Sequence, residues 1–254
     1  MPASPFVWYE LMTSDLAGAE AFYRAVLGWN TEPMPGDMPY VIGQVGKAGV
    51  AGMMTIPEEA KAMGAPPHWA GYIYSADVDA QTESVRKEGG RVYREATDIP
   101  NVGRFSVVTD PQGAVFMLFN PRSDYDRELA PDGAQGTVGW RELYATDWEK
   151  AFDFYSRQFG WTKDQAVDMQ DMGIYQTFAV DGVSTGGMMN KMPQMPQPVW
   201  GYYFNVDGLD AGIARVTSNK GQVVNGPMEV PGGQWIVNCV DPQGAHFSLL
   251  ANTR

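Results

Sequence analysis

An internal repeat constrains this chain more than any other feature. Trp8-Tyr9-Glu10-Leu11 returns as Trp140-Arg141-Glu142-Leu143, and Asp15 returns as Asp147. Phe22-Tyr23 returns as Phe154-Tyr155 and Gly28-Trp29 as Gly160-Trp161, all at an offset of 132 (142 − 10). Further on, Trp69 is answered by Trp200, Gly90 by Gly221 and Asp110-Pro111-Gln112-Gly113 by Asp241-Pro242-Gln243-Gly244, now at 131 (241 − 110). Gly52-Met53-Met54 also reappears, as Gly187-Met188-Met189. Solenoids repeat every 20–50 residues, so a period this long means a duplicated domain. The stretch from Asp124 to Gly136 is polar and rich in Asp, Arg, Pro and Gly, as linkers are. The expected division is a first domain over 5–122, a linker over 123–136 and a second domain over 137–251.

Within one copy the hydrophobic period alternates between two values. Phe6 to Thr13 is strand-forming and runs into Ser14-Asp15, a helix N-cap signal. Ala19, Phe22, Tyr23, Val26 and Leu27 then recur at three- and four-residue spacing, which predicts one apolar helix face. Gly28 supplies a left-handed helix end. Tyr40 to Val45 and Ala48 to Thr55 read as strands, with a turn at Gly46-Lys47. After a Pro-rich loop the series restarts. Trp69 to Ser75 reads as a strand, Asp77 or Asp79 caps a helix ending at Gly89-Gly90, and short strands follow at 91–93, 105–109 and 115–119. Each copy is therefore two βαβββ modules, four in the chain, and the fold class is α+β.

The helix signature, an Asp followed by Phe-Tyr and then Gly-Trp, combined with Asp-Pro-Gln-Gly before the last strand, resembles the vicinal-oxygen-chelate superfamily of glyoxalases, bleomycin-resistance proteins and extradiol dioxygenases. The resemblance covers nearly the whole chain and is closest to two-domain, glyoxalase-like bacterial proteins. It implies paired modules whose mixed sheets curl into cups that hold substrate and metal. It also implies metal ligands on the first, fifth and last strands of each domain, supplied by His, Gln or Glu. Those places are taken by Trp8, by His68 or Ala70, and by Met117 in copy one. In copy two they are taken by Trp140, by Val199 or Gly201, and by Ser248. A metal site needs three or four donors, and His68 is the one weak candidate. No cofactor is expected, although the family default is a divalent metal.

Strand alternation suggests what replaces the ligands. Side chains two apart share a face, so Glu10 accompanies Trp8 and Met12, and Glu142 accompanies Trp140 and Tyr144. If the family positions face the cup, both carboxylates do as well. A carboxylate in apolar surroundings can serve as a general base, which makes Glu10 and Glu142 the candidate catalytic residues. His246, on the Ser248 face, is the third. A structural role for each Glu, pairing with Arg or capping amides, stands beside this reading. Trp8, Trp140, Trp69, Trp200, Tyr72 and Tyr203 are the candidate ligand-binding aromatics. Adaptable Met53, Met54, Met188 and Met189 suit the same purpose, and sheet packing is the alternative for any one of them.

Charge narrows the partners. A formal net charge of −12 speaks against nucleic acid and anionic membrane. No apolar run reaches the roughly 18 residues of a membrane span, and the N-terminus has no basic leader, so the cytoplasm is the expected location. The one cysteine, Cys239, sits in an apolar strand and reads as a buried structural thiol. The expected partner is a small apolar or aromatic molecule, and the chain a monomer or homodimer. Three functions compete. One is a metal-free binder of such a molecule. Another is a metal-free isomerase or lyase with Glu10 or Glu142 as base. The third is a metal-dependent glyoxalase-type lyase or dioxygenase.

Overall fold

Helix α1 (Leu16–Leu27) forms where the apolar period reaches 3.6. Its N-cap Asp15 accepts a hydrogen bond from the Gly18 amide at 3.0 Å, and Gly28 ends it at φ 76°. Ala19, Phe22, Tyr23, Val26 and Leu27 are its buried face. In copy two, Asp147 and Gly160 bound α4 (Trp148–Phe159) in the same way.

The computed structural model describes residues 3–36, 38–122 and 128–254. The first five linker positions, 123–127, lie outside the described residues. Copy one continues from β1 (Phe6–Thr13) and α1 through β2 (Asn30–Met34), β3 (Tyr40–Val45), β4 (Ala48–Thr55) and the short α2 (Glu58–Ala62). Its second half is β5 (His68–Tyr74), α3 (Val78–Lys87), β6 (Val92–Ile99), β7 (Gly103–Thr109) and β8 (Val115–Pro121). Copy two comprises β9 (Val138–Ala145), α4, β10 (Thr162–Asp168), β11 (Ile174–Val180), β12 (Val183–Asn190), β13 (Val199–Asn205), α5 (Leu209–Ser218), β14 (Gln222–Glu229), β15 (Trp235–Val240) and β16 (His246–Ala251). Two eight-stranded sheets result, ordered β2-β3-β4-β1-β5-β8-β7-β6 and β10-β11-β12-β9-β13-β16-β15-β14. They are mixed: β1 and β4, and β5 and β8, pair in parallel, and the hairpins are antiparallel. The chain is α+β, with four βαβββ modules.

Differences from the sequence reading are local, and one is that the short strand expected at 91–93 is the longer β6 (Val92–Ile99). Strand β2 (Asn-Thr-Glu-Pro-Met) carries no apolar alternation, because it is a sheet edge with little to bury. Helix α2 interrupts the expected Pro-rich loop, with Glu58 and Glu59 in its first turn. Asp77, rather than Asp79, is the cap of α3.

Packing divides the chain differently from the repeat. One compact unit is Met1–Val7, Ala70–Asp126 and Arg141–Trp200; the other is Trp8–Trp69, Arg127–Trp140 and Gly201–Arg254. Each unit thus combines half of copy one with half of copy two. In the first unit, Tyr155 and Trp161 stack with ring centroids 5.2 Å apart, and Phe116 packs edge-on against Phe159. In the second, Tyr23, Trp29, Trp69, Phe204 and Phe247 form the equivalent cluster. Such ring pairs add about 0.5–1.5 kcal/mol each beyond the area they bury. Cys239 is fully buried, and desolvation pushes its thiol up to about 12.

Candidate functional site

The recurring motifs of the sequence meet in the cores. In the second unit the Trp69 indole N–H donates to the Tyr23 hydroxyl at 2.9 Å, and Tyr23 donates to Asp241 Oδ2 at 3.0 Å. Asp241 Oδ1 accepts the amides of Gln243 and Ala245, so the carboxylate also shapes its own Asp-Pro-Gln-Gly turn. The first unit repeats this chain of bonds as Trp200, Tyr155 and Asp110, with a longer final link of 3.4 Å. Burial, ahead of the hydrogen bonds that oppose it, pushes the carboxyls of Asp110 and Asp241 above the usual range. Burial, then the Asp241 charge, raises Tyr23 well above an ordinary phenol. These groups lie between helix and hairpin, and their work is to lock helix α1 or α4 to a turn from the other copy. Trp69 and Trp200 are therefore core residues, 5% and 4% exposed. Alternation sends them to the opposite side of their strands from Tyr72 and Tyr203.

The helix-free side of the strands carries different chemistry. In the second unit α1 packs on β4, and Leu11 pairs with Met53, both fully buried. The next ladder pair, Glu10 with Gly52, points the other way. A Cβ on Gly52 would overlap the Tyr40 phenol, so that ring lies over the glycine beside Glu10. The Tyr40 hydroxyl accepts the Trp8 indole N–H at 3.0 Å. Trp8, Glu10 and Tyr40 thus gather on one face. The first unit repeats the device: Glu142 pairs with Gly187, and the Tyr175 phenol occupies the space where a Gly187 side chain would stand. Glu10 and Glu142 are 5% and 6% exposed, and both are engaged by neighbouring groups. Trp140 is half-buried on β9.

Tyr40 and Tyr175 escaped the sequence reading. Their signal was present: each stands twelve residues before the glycine of the repeated Gly-Met-Met. A tyrosine in a strand is common, so the spacing alone did not separate them from packing residues.

A second row crosses the other half of each sheet. In the first unit Tyr72 pairs with Met117, Met117 with Val107 and Val107 with Arg94. Phe105 and Phe119 flank Tyr72, and the Arg94 guanidinium lies 5.2 Å over the Phe105 ring. In the second unit the same places hold Tyr203, Ser248, Asn238 and Asn225. Asn238 Nδ2 donates to Ser248 Oγ at 2.8 Å and to the Tyr203 hydroxyl at 3.4 Å; Asn225 Nδ2 donates to Asn238 Oδ1 at 3.4 Å.

The two histidines stand apart from these groups. His68 opens β5, half-buried, with Nδ1 2.8 Å from the Pro66 carbonyl, and desolvation lowers its imidazole below the usual value. That contact assigns the proton to Nδ1. His246 is the exposed first residue of β16, opposite Val240. Among the described residues no group of three or more His, Cys, Asp or Glu side chains is placed to hold a metal ion. The family ligand places present Trp8, His68 or Ala70, and Met117 in copy one, and Trp140, Val199 or Gly201, and Ser248 in copy two, so neither copy offers more than one His, Gln or Glu there. That donor set does not fit a hard divalent metal.

The fold and these faces define a tandem glyoxalase-like protein. The model of the Glyoxalase/Bleomycin resistance protein/Dioxygenase superfamily matches residues 6–118 and again 137–249, and the chain belongs to that family. It is 33% identical over 247 residues to the protein named "Putative glyoxylase CFP32" of Mycobacterium tuberculosis, covering 96% of this chain and 93% of that one. It is 29% identical over 265 residues to "Anthracycline biosynthesis protein DauV" of Streptomyces sp. (strain C5), covering 98% and 93%. Its fold is shared with the Mn(II)-bound glyoxalase from Novosphingobium aromaticivorans at a TM-score of 0.67 and 16% identity, over 99% of this chain and 82% of that one.

Proposed function

We propose that this protein binds a small apolar or aromatic molecule against the helix-free faces of its sheets, without the usual family metal triad. The observation that carries the reading is the group Trp8, Glu10 and Tyr40, with its counterpart at Glu142 and Tyr175. In both copies a glycine leaves room for a phenol beside a buried carboxylate. A carboxyl group beside rings that are apolar in body and polar at the tip is in keeping with the composition of a small-molecule site. The name of DauV, a relative from anthracycline biosynthesis, agrees with a flat aromatic ligand.

Calorimetric titration of chelator-treated protein with 1-naphthol tests the reading. Stoichiometric binding without turnover is expected; no heat across a panel of naphthol, naphthoquinone and aliphatic ketone probes would end it. Titration with Mn(II) tests the metal-free part, and a stoichiometric metal site would overturn it.

A second reading rests on the burial of Glu10 and Glu142. A carboxylate among apolar groups is suited to abstract a proton, giving a metal-free isomerase or lyase. Once a turnover is found, Glu10→Gln and Glu142→Gln should each lower kcat by at least about 100-fold if that residue is the base. An unchanged kcat in the double variant removes the reading.

A further inference from the structure

Equivalent rows of the two copies begin with a tyrosine and then diverge. Tyr72 is followed by Met117, Val107 and Arg94, whereas Tyr203 is followed by Ser248, Asn238 and Asn225. We propose that Asn238 and Ser248 form a polar recognition strip that selects aromatic ligands bearing a ring oxygen, so that the two copies discriminate differently. The inference rests on the binding function proposed above and names the specificity of one of its sites.

The hydrogen-bond inventory supports it. Ser248 is 6% exposed and lies on the helix-free side, because its neighbour Leu249 faces α5 at Gly212. Asn238 spends both amide hydrogens inside the row, on Ser248 Oγ and Tyr203, and Asn225 holds its carbonyl oxygen. Ser248 Oγ lies 2.8 Å from the Asn238 amide, so a buried hydroxyl and a side-chain amide stand side by side in the row. A hydroxyl donates one hydrogen bond and accepts others, and an amide offers both kinds, so a ligand oxygen set over this pair can exchange hydrogen bonds with it. Asn225 Oδ1, exposed at the outer end of the row, can accept from a ligand hydroxyl.

The copy-one row offers nothing comparable. Met117 and Val107 neither donate nor accept useful hydrogen bonds through their side chains. Arg94 lies over Phe105 at the outer end. An oxygen placed over Met117 and Val107 would meet apolar side chains where copy two presents a hydroxyl and an amide, so that row favours bare ring surface.

Paired probes differing by one oxygen read the difference: 1-naphthol and naphthalene, titrated into the full chain. The wild type is expected to prefer 1-naphthol. Asn238→Val, which installs the copy-one residue, and Ser248→Ala should each weaken 1-naphthol about tenfold, the scale of one lost hydrogen bond. Naphthalene affinity should stay unchanged. An unchanged preference in both copy-two variants overturns the inference and leaves the binding function standing. Equal loss of both probes marks the row as structural and also overturns it. Failure of both probes to bind the wild type overturns the inference, and the binding function falls with it only when the wider panel of probes fails too.

Discussion

The strongest residue-scale constraint is the hydroxyl of Tyr23. It accepts from Trp69 and donates to Asp241 in a fully buried setting. Tyr23→Phe leaves an indole N–H and a carboxylate oxygen without that partner, so it should cost about 2–4 kcal/mol, read from urea unfolding. Tyr155→Phe should cost less, because the link from Tyr155 to Asp110 is already long at 3.4 Å. Asp241 adds a pH dependence. Burial raises its carboxyl, so the folded chain binds that proton more tightly than the unfolded chain. The stabilisation is complete below the ordinary carboxylate range and is lost as pH rises through the raised value. Asp241→Asn removes the titration. The stability difference, wild type minus variant, should therefore fall as pH rises from the ordinary carboxylate range through the raised Asp241 value, measured by denaturation across that range.

At the scale of elements, much was legible. The limits of β1, α1, β3 and β4, and the caps Asp15 and Gly28, follow from apolar spacing and end signals that are local in sequence. Strand β2 was not, because an edge strand needs no apolar face. The site was half legible. Alternation on β1 placed Glu10 beside Trp8, whereas Trp69 and Tyr72 were read together although their side chains leave β5 on opposite sides. The partner of Trp69 is a helix residue forty-six positions earlier, and no local pattern announces it. Elements also meet unequally in the two copies. The Gln112 side chain both accepts from and donates to the backbone of Asp147, the cap of α4, at 2.8 Å. Its counterpart Gln243 has a buried Oε1 with no hydrogen-bond partner among the described residues. Gln112→Ala should therefore destabilise by about 1–2 kcal/mol, and Gln243→Ala by clearly less, in parallel unfolding curves.

Over the whole molecule, the repeat and the packing units cut the chain in different places. The duplication could be read because identical residues recur at a constant offset; the exchange of halves could not, because Tyr23 and Asp241 are 218 positions apart. Neither copy alone contains a complete unit. Each copy does contain both halves of the lock, Tyr23 with Asp110 or Tyr155 with Asp241. An isolated copy one, residues 1–130, is therefore expected to dimerise and satisfy Tyr23 with the Asp110 of its twin. Sedimentation should find a dimer, and a stable folded monomer would contradict the lock. Among the described residues no helix is long and apolar enough to cross a membrane.

The covalent join between copies has a further consequence. A dimer made from one gene must carry every residue twice, so a substitution that improves one face is imposed on the other. In this chain, position 238 can change while position 107 keeps its Val. The fused arrangement thereby frees two related surfaces to acquire separate tasks, one able to bond an oxygen and one suited to bare rings, on a scaffold that neither has to alter.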